Sequence, residues 1–178
     1  IVAVIRGRSD ASGRAVGLRA DMDALPMQEE NEFAHKSRYD GRMHGCGHDG
    51  HTTMLLAAAR YLHETRHFDG TVYFIFQPAE EGDGGAQAMI EDGLFERFPA
   101  EAVYGLHNWP GLAAGQFGVR AGPIMAASDT FEITVRGRGG HAEVDEPAHP
   151  ADHLAVHRER RVEALDLGRD LHLVTGRV

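Results

Sequence analysis

The chain has 178 residues, of which 42% are hydrophobic and 25% charged, and these fractions are typical of a globular domain. They exclude a disordered chain, a collagen-like repeat and a coiled coil. The 18 basic and 27 acidic residues give a net charge of −9, which disfavours partners such as nucleic acids and anionic membranes. No apolar run approaches the roughly 18 residues that a membrane-spanning helix needs.

Cys46 is the single cysteine, so no disulfide can form within the chain. A lone thiol is typical of a reducing compartment, and we expect a cytoplasmic protein. The chain opens on a strand-like run at residues 1–5, without the basic flank and cleavage site of a signal peptide. Because this run looks like a strand entered midway, we expect these residues to belong to a longer chain.

Strands and a long loop occupy the first fifty residues. Apolar and β-branched runs predict strands at 2–5 and 15–18, and the turn-rich loop at 7–13 predicts that the two are neighbours in a sheet. A polar, glycine-bearing stretch follows at 21–50. It is too long for an ordinary connection, and loops of that length are usually functional.

Helices and buried strands then alternate. Apolar residues at helical spacing predict helices at 52–67 and 86–98, and continuous apolar runs predict buried strands at 71–76 and 102–106. This alternation predicts an α/β fold, with a mixed sheet flanked by helices.

The pattern changes after residue 115, where strands are predicted at 116–120 and 130–136. We expect a first domain at 1–122, then at 123–141 a few strands that begin an incomplete satellite domain. The last segment, 142–178, has no aromatic residue, Lys, Ile or Met. A helix near 154–167 has only a thin apolar stripe, so we expect this tail to pack poorly.

The strongest motif is the sequence HGCGHDGH at residues 44–51. It places Cys46 and His48 on one side of an expected extended loop, and thiolate and imidazole are good ligands for zinc and similar metals. Taken singly, each histidine is better explained by a loop hydrogen bond, and the cysteine by apolar burial. The cluster as a whole favours metal binding.

Two further motifs follow buried strands. Glu80 and Glu81 follow the strand at 71–76, where one carboxylate can bind a metal and the other can accept a proton. The alternative is a solvated acidic turn. His107 follows the strand at 102–106 and is either a metal ligand or a hydrogen-bonded core histidine. Trp109 is a candidate for the wall of a pocket.

Asp21 and Asp23 follow the strand at 15–18. Carboxylates in this position can hydrogen-bond histidine ligands and orient them. An acidic cap between strand and loop explains the pair equally well.

Together these motifs resemble those of the M20 metallopeptidases, in the same order along the chain. The likeness is closest to the amidohydrolase branch, which includes hippurate hydrolases, N-acyl-amino-acid amidohydrolases and auxin-conjugate hydrolases. The motifs are LRADMDALP at 18–26, HGCGHDGH at 44–51, QPAEEG at 77–82, HN at 107–108 and GGHA at 139–142.

The resemblance implies a role for each matching residue. Glu80 would be the general base that activates water, and His141, from the satellite domain, would bind the substrate. A site for two divalent ions, of zinc, manganese, nickel or cobalt, would be formed by Cys46, His48, Glu81 and His107. The implied reaction is hydrolysis of the amide bond of an N-acyl amino acid, and full-length members would form homodimers.

The chain departs from the family pattern after Ala142. Family members continue with the rest of the satellite domain and a further ligand histidine, which no residue here matches. His149, His153 and His157 are four apart, but Pro150 and the tail's composition favour chance. We expect the tail to arise from truncation or a shifted reading frame, and the alternative function is a truncated, inactive homologue.

Overall fold

The structure, a computed structural model, describes residues 1–125 and the strand at residues 171–176. It is an α/β fold, as predicted. The described strands are β1 Val2–Arg6, β2 Ala15–Asp21, β3 Thr71–Gln77, β4 Ala102–Asn108, β5 Phe117–Gly118 and β6 Leu171–Gly176. The described helices are α1 His48–Thr65, α2 Gly85–Glu91 and α3 Leu94–Arg97.

The strands form one mixed sheet in the order β1-β3-β2-β4-β6-β5. β3, β2, β4 and β6 pair in parallel, whereas β1 and β5 pair antiparallel with β3 and β6. The carboxyl ends of the four parallel strands therefore meet at one edge of the sheet, which is where open α/β sheets form their sites.

The prediction that the first two strands are neighbours is wrong, because β3 lies between them. The connecting loop crosses the start of β3 instead of making a hairpin. The backbone N–H of Gly7 donates to the carbonyl of Gly70, and that of Thr71 donates to the carbonyl of Arg14, both at 2.9 Å. A loop of this length leaves room for a third strand, and the two fully apolar faces of β3 favour a position inside the sheet.

Successive side chains of the central strands point to opposite faces of the sheet, and core residues lie on both faces. On one face, Phe74 is fully buried and packs with Ala20 and with Leu55 of α1. On the other face, the ring of Tyr73 meets the ring of Phe98, just after α3, edge-on at 5.6 Å between centroids. The predicted flanking by helices is thus present on both faces.

Both predicted helices have different bounds in the structure. α1 begins at His48 rather than at residue 52, because its first turn presents polar side chains and so lacks an apolar period. The predicted helix at 86–98 is two short helices, α2 and α3, separated by Gly93 in a left-handed conformation with φ of 82°. A left-handed residue ends the hydrogen-bonding pattern of a helix, and glycine adopts it most readily.

Within the predicted tail, the structure describes residues 171–176, which form β6. β6 pairs in parallel with β4 from Val103↔Leu171 to Asn108↔Gly176. The run LHLVTG is short, apolar and partly β-branched, and such a run joins a sheet even within a polar segment. The strand predicted at 130–136, the helix predicted near 154–167 and His141 lie outside the described residues.

Candidate metal centre

The polar side chains of the motifs lie at the carboxyl edge of the sheet. β2 ends at Asp21, β3 ends three residues before Glu80, and β4 ends with His107 and Asn108. The first turn of α1 carries His48 over the same edge. Four separate segments of the chain therefore converge because the parallel strands end side by side.

The turn before α1 brings Cys46 and His48 together. Gly47 caps the helix in a left-handed conformation with φ of 89°, which residues with a Cβ adopt at a cost. The predicted extended loop is wrong here, since Cys46 lies in a turn and His48 is the first helical residue. The two side chains still point to one place, because the left-handed glycine reverses the chain between them.

His48 is at the centre of the ligand cluster. Its side chain is 1% exposed, and Nε2 lies 3.6 Å from Oε1 of Glu81, 3.8 Å from Oε2 of Glu80 and 3.7 Å from Oδ2 of Asp21. The ligand atoms of Cys46, His48 and His107 lie within 4.8 Å of one another, as do those of His48, Glu80 and Glu81. The predicted ligands and the predicted base thus share one site.

Asp23 fixes both His48 and the acidic loop. Its carbonyl oxygen lies 2.9 Å from Nδ1 of His48 and accepts a hydrogen bond from that nitrogen, which leaves Nε2 to face the carboxylates. Its Oδ2 accepts the backbone N–H of Glu81 at 3.0 Å. Burial alone would raise the pKa of Asp23, but hydrogen bonds from the backbones of Glu81 and Glu80 lower it. Asp23 is thus placed as an orienting residue.

The loop that carries the two glutamates is tightly constrained. Ala79 has φ of 51°, a left-handed conformation that is uncommon for a residue with a Cβ. A Cβ added to Gly85 would lie 1.9 Å from the carbonyl oxygen of Pro78, so α2 presses directly on this loop. Only glycine permits that approach, and it holds Glu80 and Glu81 over the end of the sheet.

Glu80 has the environment of a proton acceptor. Burial, reinforced by the negative charges of Glu81 and Asp21, raises the pKa of its carboxyl group above the ordinary value. A carboxylate with a raised pKa binds a proton more readily. This combination suits a general base.

Cys46 and His107 face each other across the site. The sulfur of Cys46 lies 3.5 Å from Nε2 of His107, whose Nδ1 donates to the carbonyl oxygen of Asn108 at 2.6 Å. Burial and the nearby charge of Glu81 raise the pKa of the thiol to about 12. A bound cation reverses this effect, because it stabilises the thiolate directly.

His51, for which the sequence motifs predict no role, is also buried in this site. Its Nδ1 lies 2.6 Å from Oδ1 of Asp21, and its Nε2 lies 2.9 Å from Oδ1 of Asn108. Burial lowers the pKa of His51, but the hydrogen bond and charge of Asp21 outweigh this effect and raise it. The spacing from His48, three residues on one helix face, was the signal available in the sequence.

Asp21 is the negatively charged partner of His51. Burial opposes its charge, but the hydrogen bond from His51 and the charge of Arg19 outweigh burial and lower its pKa to about 2. Nη1 of Arg19 lies 2.8 Å from Oδ2 of Asp21, and Nε of Arg19 donates to Gln77 at 2.8 Å. Asp21 is therefore paired with an arginine.

The residues present fit a divalent metal ion. Within the described part of the chain, the buried Nε2 of His48 has no hydrogen-bond partner, and leaving such an atom unpaired costs about 1–3 kcal/mol. It faces carboxylates, a thiol and the unprotonated nitrogen of a second imidazole, which are ligands for zinc and related metals. A cation at their centre would pair the orphaned nitrogen and offset the negative charge.

Trp109 stands apart from the cluster. Trp109 is 45% exposed, and its ring meets that of His107 edge-on at 6.2 Å between centroids, so it lies at the rim of the site. His141, predicted to bind substrate, lies outside the described residues.

The order and geometry of these residues match one known family. The model of peptidase family M20/M25/M40 matches residues 17–168. The chain belongs to this family. The match continues past Ala142, where the likeness was expected to end, so that limit was wrong.

Curated relatives include amidohydrolases from bacteria and plants. Hippurate hydrolase of Campylobacter jejuni is 52% identical over 149 residues, which are 83% of this chain and 38% of the relative. The IAA-amino acid hydrolase ILR1-like 2 of Arabidopsis thaliana is 51% identical, over 77% of this chain and 30% of the relative. N-acetylcysteine deacetylase of Bacillus subtilis is 44% identical, over 88% of this chain and 40% of the relative. These relatives confirm the resemblance to the amidohydrolase branch.

A solved structure also resembles this fold. The YxeP protein of Bacillus subtilis, a dinuclear metal-binding peptidase of family M20, has a TM-score of 0.67 and is 45% identical, over 72% of this chain and 35% of that protein. The chain thus spans little more than a third of the length of such relatives. In the described residues, no helix combines the length and the apolar character needed to cross a membrane.

Proposed function

We propose that this chain is part of a metal-dependent amidohydrolase that hydrolyses the amide bond of N-acyl amino acids. The observation that carries the proposal is the unpaired, buried Nε2 of His48, which faces Glu80 and Glu81 within 3.8 Å. The names of relatives support the substrate class, because they include hippurate, N-acetylcysteine and N-acyl-L-amino acids.

We assign two divalent metal ions to Cys46, His48, Glu81 and His107. The dinuclear metal binding of the related YxeP protein supports this number. Divalent ions at this position supply Lewis-acid chemistry, which polarises an amide carbonyl and acidifies water.

The side chains around these ligands have distinct tasks in the proposed reaction. Glu80 takes a proton from the attacking water and later delivers it to the leaving nitrogen, and its raised pKa suits both transfers. Asp23 holds His48 in the orientation in which Nε2 faces the site. His141 is proposed to bind the substrate's carbonyl or carboxylate group.

Hydrolysis of hippurate and N-acetyl-L-cysteine by the purified chain, loaded in turn with zinc, manganese, cobalt and nickel, tests this proposal. We expect release of the free amino acid, and Glu80→Gln should lower the rate about 10²–10⁴-fold while metal affinity is retained. The matched control is Glu91→Gln, an exposed glutamate at the end of α2.

Two results would contradict parts of the proposal. Full activity in Glu80→Gln would show that Glu80 is not the general base. A chain that binds metal but releases no amino acid from either substrate would favour the alternative of an inactive homologue.

A further inference from the structure

His51 lies among the metal ligands but has no free nitrogen for a metal. It is 2% exposed. Nδ1 contacts Oδ1 of Asp21 at 2.6 Å, and Nε2 lies 2.9 Å from Oδ1 and 3.1 Å from the backbone nitrogen of Asn108. Both ring nitrogens are thus engaged by protein groups, which favours a role other than ligation.

The Asp21 end of this contact is rigid. The Oδ2 atom of Asp21 accepts from Nη1 of Arg19, and Arg19 also donates to Gln77 at the end of β3. Arg19 thus links Asp21, at the end of β2, to Gln77, at the end of β3. Hydrogen bonds from a charged guanidinium group are stronger than neutral ones. It offers His51 a fixed point at the end of β2.

The Asn108 end connects His51 to two metal ligands. Asn108 directly follows His107 in β4. Its side-chain amide also packs on the turn before α1, since a Cβ added to Gly47 would lie 2.1 Å from Nδ2 of Asn108. Gly47 directly follows Cys46, so the amide of the residue after His107 contacts the residue after Cys46.

We propose that His51 is a positioning residue that fixes the distance between Cys46 and His107 and is not itself a metal ligand. It joins the end of β2 to the first turn of α1 and, through Asn108, to the end of β4. This inference rests on the proposed function, because it assumes that Cys46 and His107 bind the metal.

Cobalt binding by the purified chain tests the inference. His51→Leu removes the contacts of the imidazole with Asp21 and with Asn108. Asn108→Ala removes only the contact with the Asn108 side chain and leaves the contact with its backbone nitrogen. His51→Gln is the conservative variant, because its amide can still donate to Asp21. The matched control is His67→Leu, which changes an exposed histidine beyond the end of α1. The readouts are the cobalt dissociation constant, the number of ions bound and the sulfur-to-cobalt charge-transfer band.

We expect the dissociation constant to rise about 10–100-fold in His51→Leu and Asn108→Ala. The charge-transfer band and the number of ions should be retained, because every ligand is still present. His51→Gln should lie closer to the wild type, and His67→Leu should equal it. If His51→Leu does not fold, Asn108→Ala decides the question.

Unchanged cobalt affinity in Asn108→Ala and His51→Leu would overturn the inference. Loss of one bound ion in His51→Leu, with both ions kept in Asn108→Ala, would also overturn it and make His51 a ligand. The proposed function fails separately if the wild type binds cobalt but does not hydrolyse N-acyl amino acids, and a wild type that binds no cobalt overturns both.

Discussion

The sulfur atom of Cys46 lies 3.5 Å from Nε2 of His107, although 61 positions separate the two residues along the chain. The contact exists because the turn before α1 lies over the carboxyl end of β4. Neither segment forms a site alone. A metal ion that uses both side chains would therefore join the helix to the sheet, and binding energy would stabilise the fold.

Cys46→Ser should separate metal binding from folding. Serine retains the size of the side chain but lacks the soft thiolate ligand. We expect cobalt affinity to fall more than ~10-fold and the sulfur-to-cobalt band to vanish, as measured by titration in the visible and near-ultraviolet. His44→Gln, an exposed change in the same motif, should leave the band unaltered. A band that persists in Cys46→Ser would mean that this thiol does not bind the metal.

Asp21→Asn should reduce the stability of the metal-free chain in a pH-dependent way. The pKa of Asp21 falls from 3.8 to about 2 on folding, against the cost of burial, through His51, Arg19 and His48. A lowered pKa means that the ionised group stabilises the fold above about pH 4, and that this stabilisation is lost as pH falls toward 2. At pH 7 the variant should lose about 2 kcal/mol of the free energy of unfolding.

Urea unfolding at pH 7 and again near pH 3 measures this effect. The difference between wild type and variant should shrink at the lower pH. Asp40→Asn, an exposed aspartate, provides the control and should differ from wild type at neither pH. A difference that is constant with pH would show that the ionisation of Asp21 is not the cause.

Gly47→Ala should destabilise the chain more than Gly84→Ala does. Both glycines cap helices in left-handed conformations, with φ of 89° and 64°, so each alanine carries a similar backbone penalty of roughly 1–2 kcal/mol. Only at Gly47 does the added Cβ meet another side chain, the amide of Asn108, whereas nothing lies within 4 Å of it at Gly84. Equal losses in urea unfolding would show that Asn108 yields without cost.

Leu55→Ala and Leu56→Ala compare the two sides of α1. Leu55 is 6% exposed and packs in the core with Phe74, whereas Leu56 is 55% exposed. We expect Leu55→Ala to cost about 2–5 kcal/mol and Leu56→Ala to remain within about 0.5 kcal/mol of wild type. Thermal and urea unfolding measure both. A large loss in Leu56→Ala would indicate that this residue is covered in solution.

Much of the fold could be predicted because its signals are local. The run TVYFIF identifies β3 as a strand buried on both faces, and residues after such a strand lie at a sheet edge. The same reasoning places Glu80 and His107 near one another. The positions of β1 and β6 could not be predicted, because strand order depends on contacts between segments far apart in the chain.

The sequence by itself determined the α/β class, the family and the residue types able to bind metal, because each depends on short patterns of apolar residues, glycines and ligand side chains. Only the tertiary structure decided which histidine nitrogens remain free to face the candidate metal site. His48 and His51 lie three residues apart on α1, yet Nε2 of His48 has no hydrogen-bond partner among the described residues while both nitrogens of His51 are taken up. The difference arises because Asp21 and Asn108, at the ends of β2 and β4, lie within hydrogen-bonding distance of the His51 ring and not of Nε2 of His48.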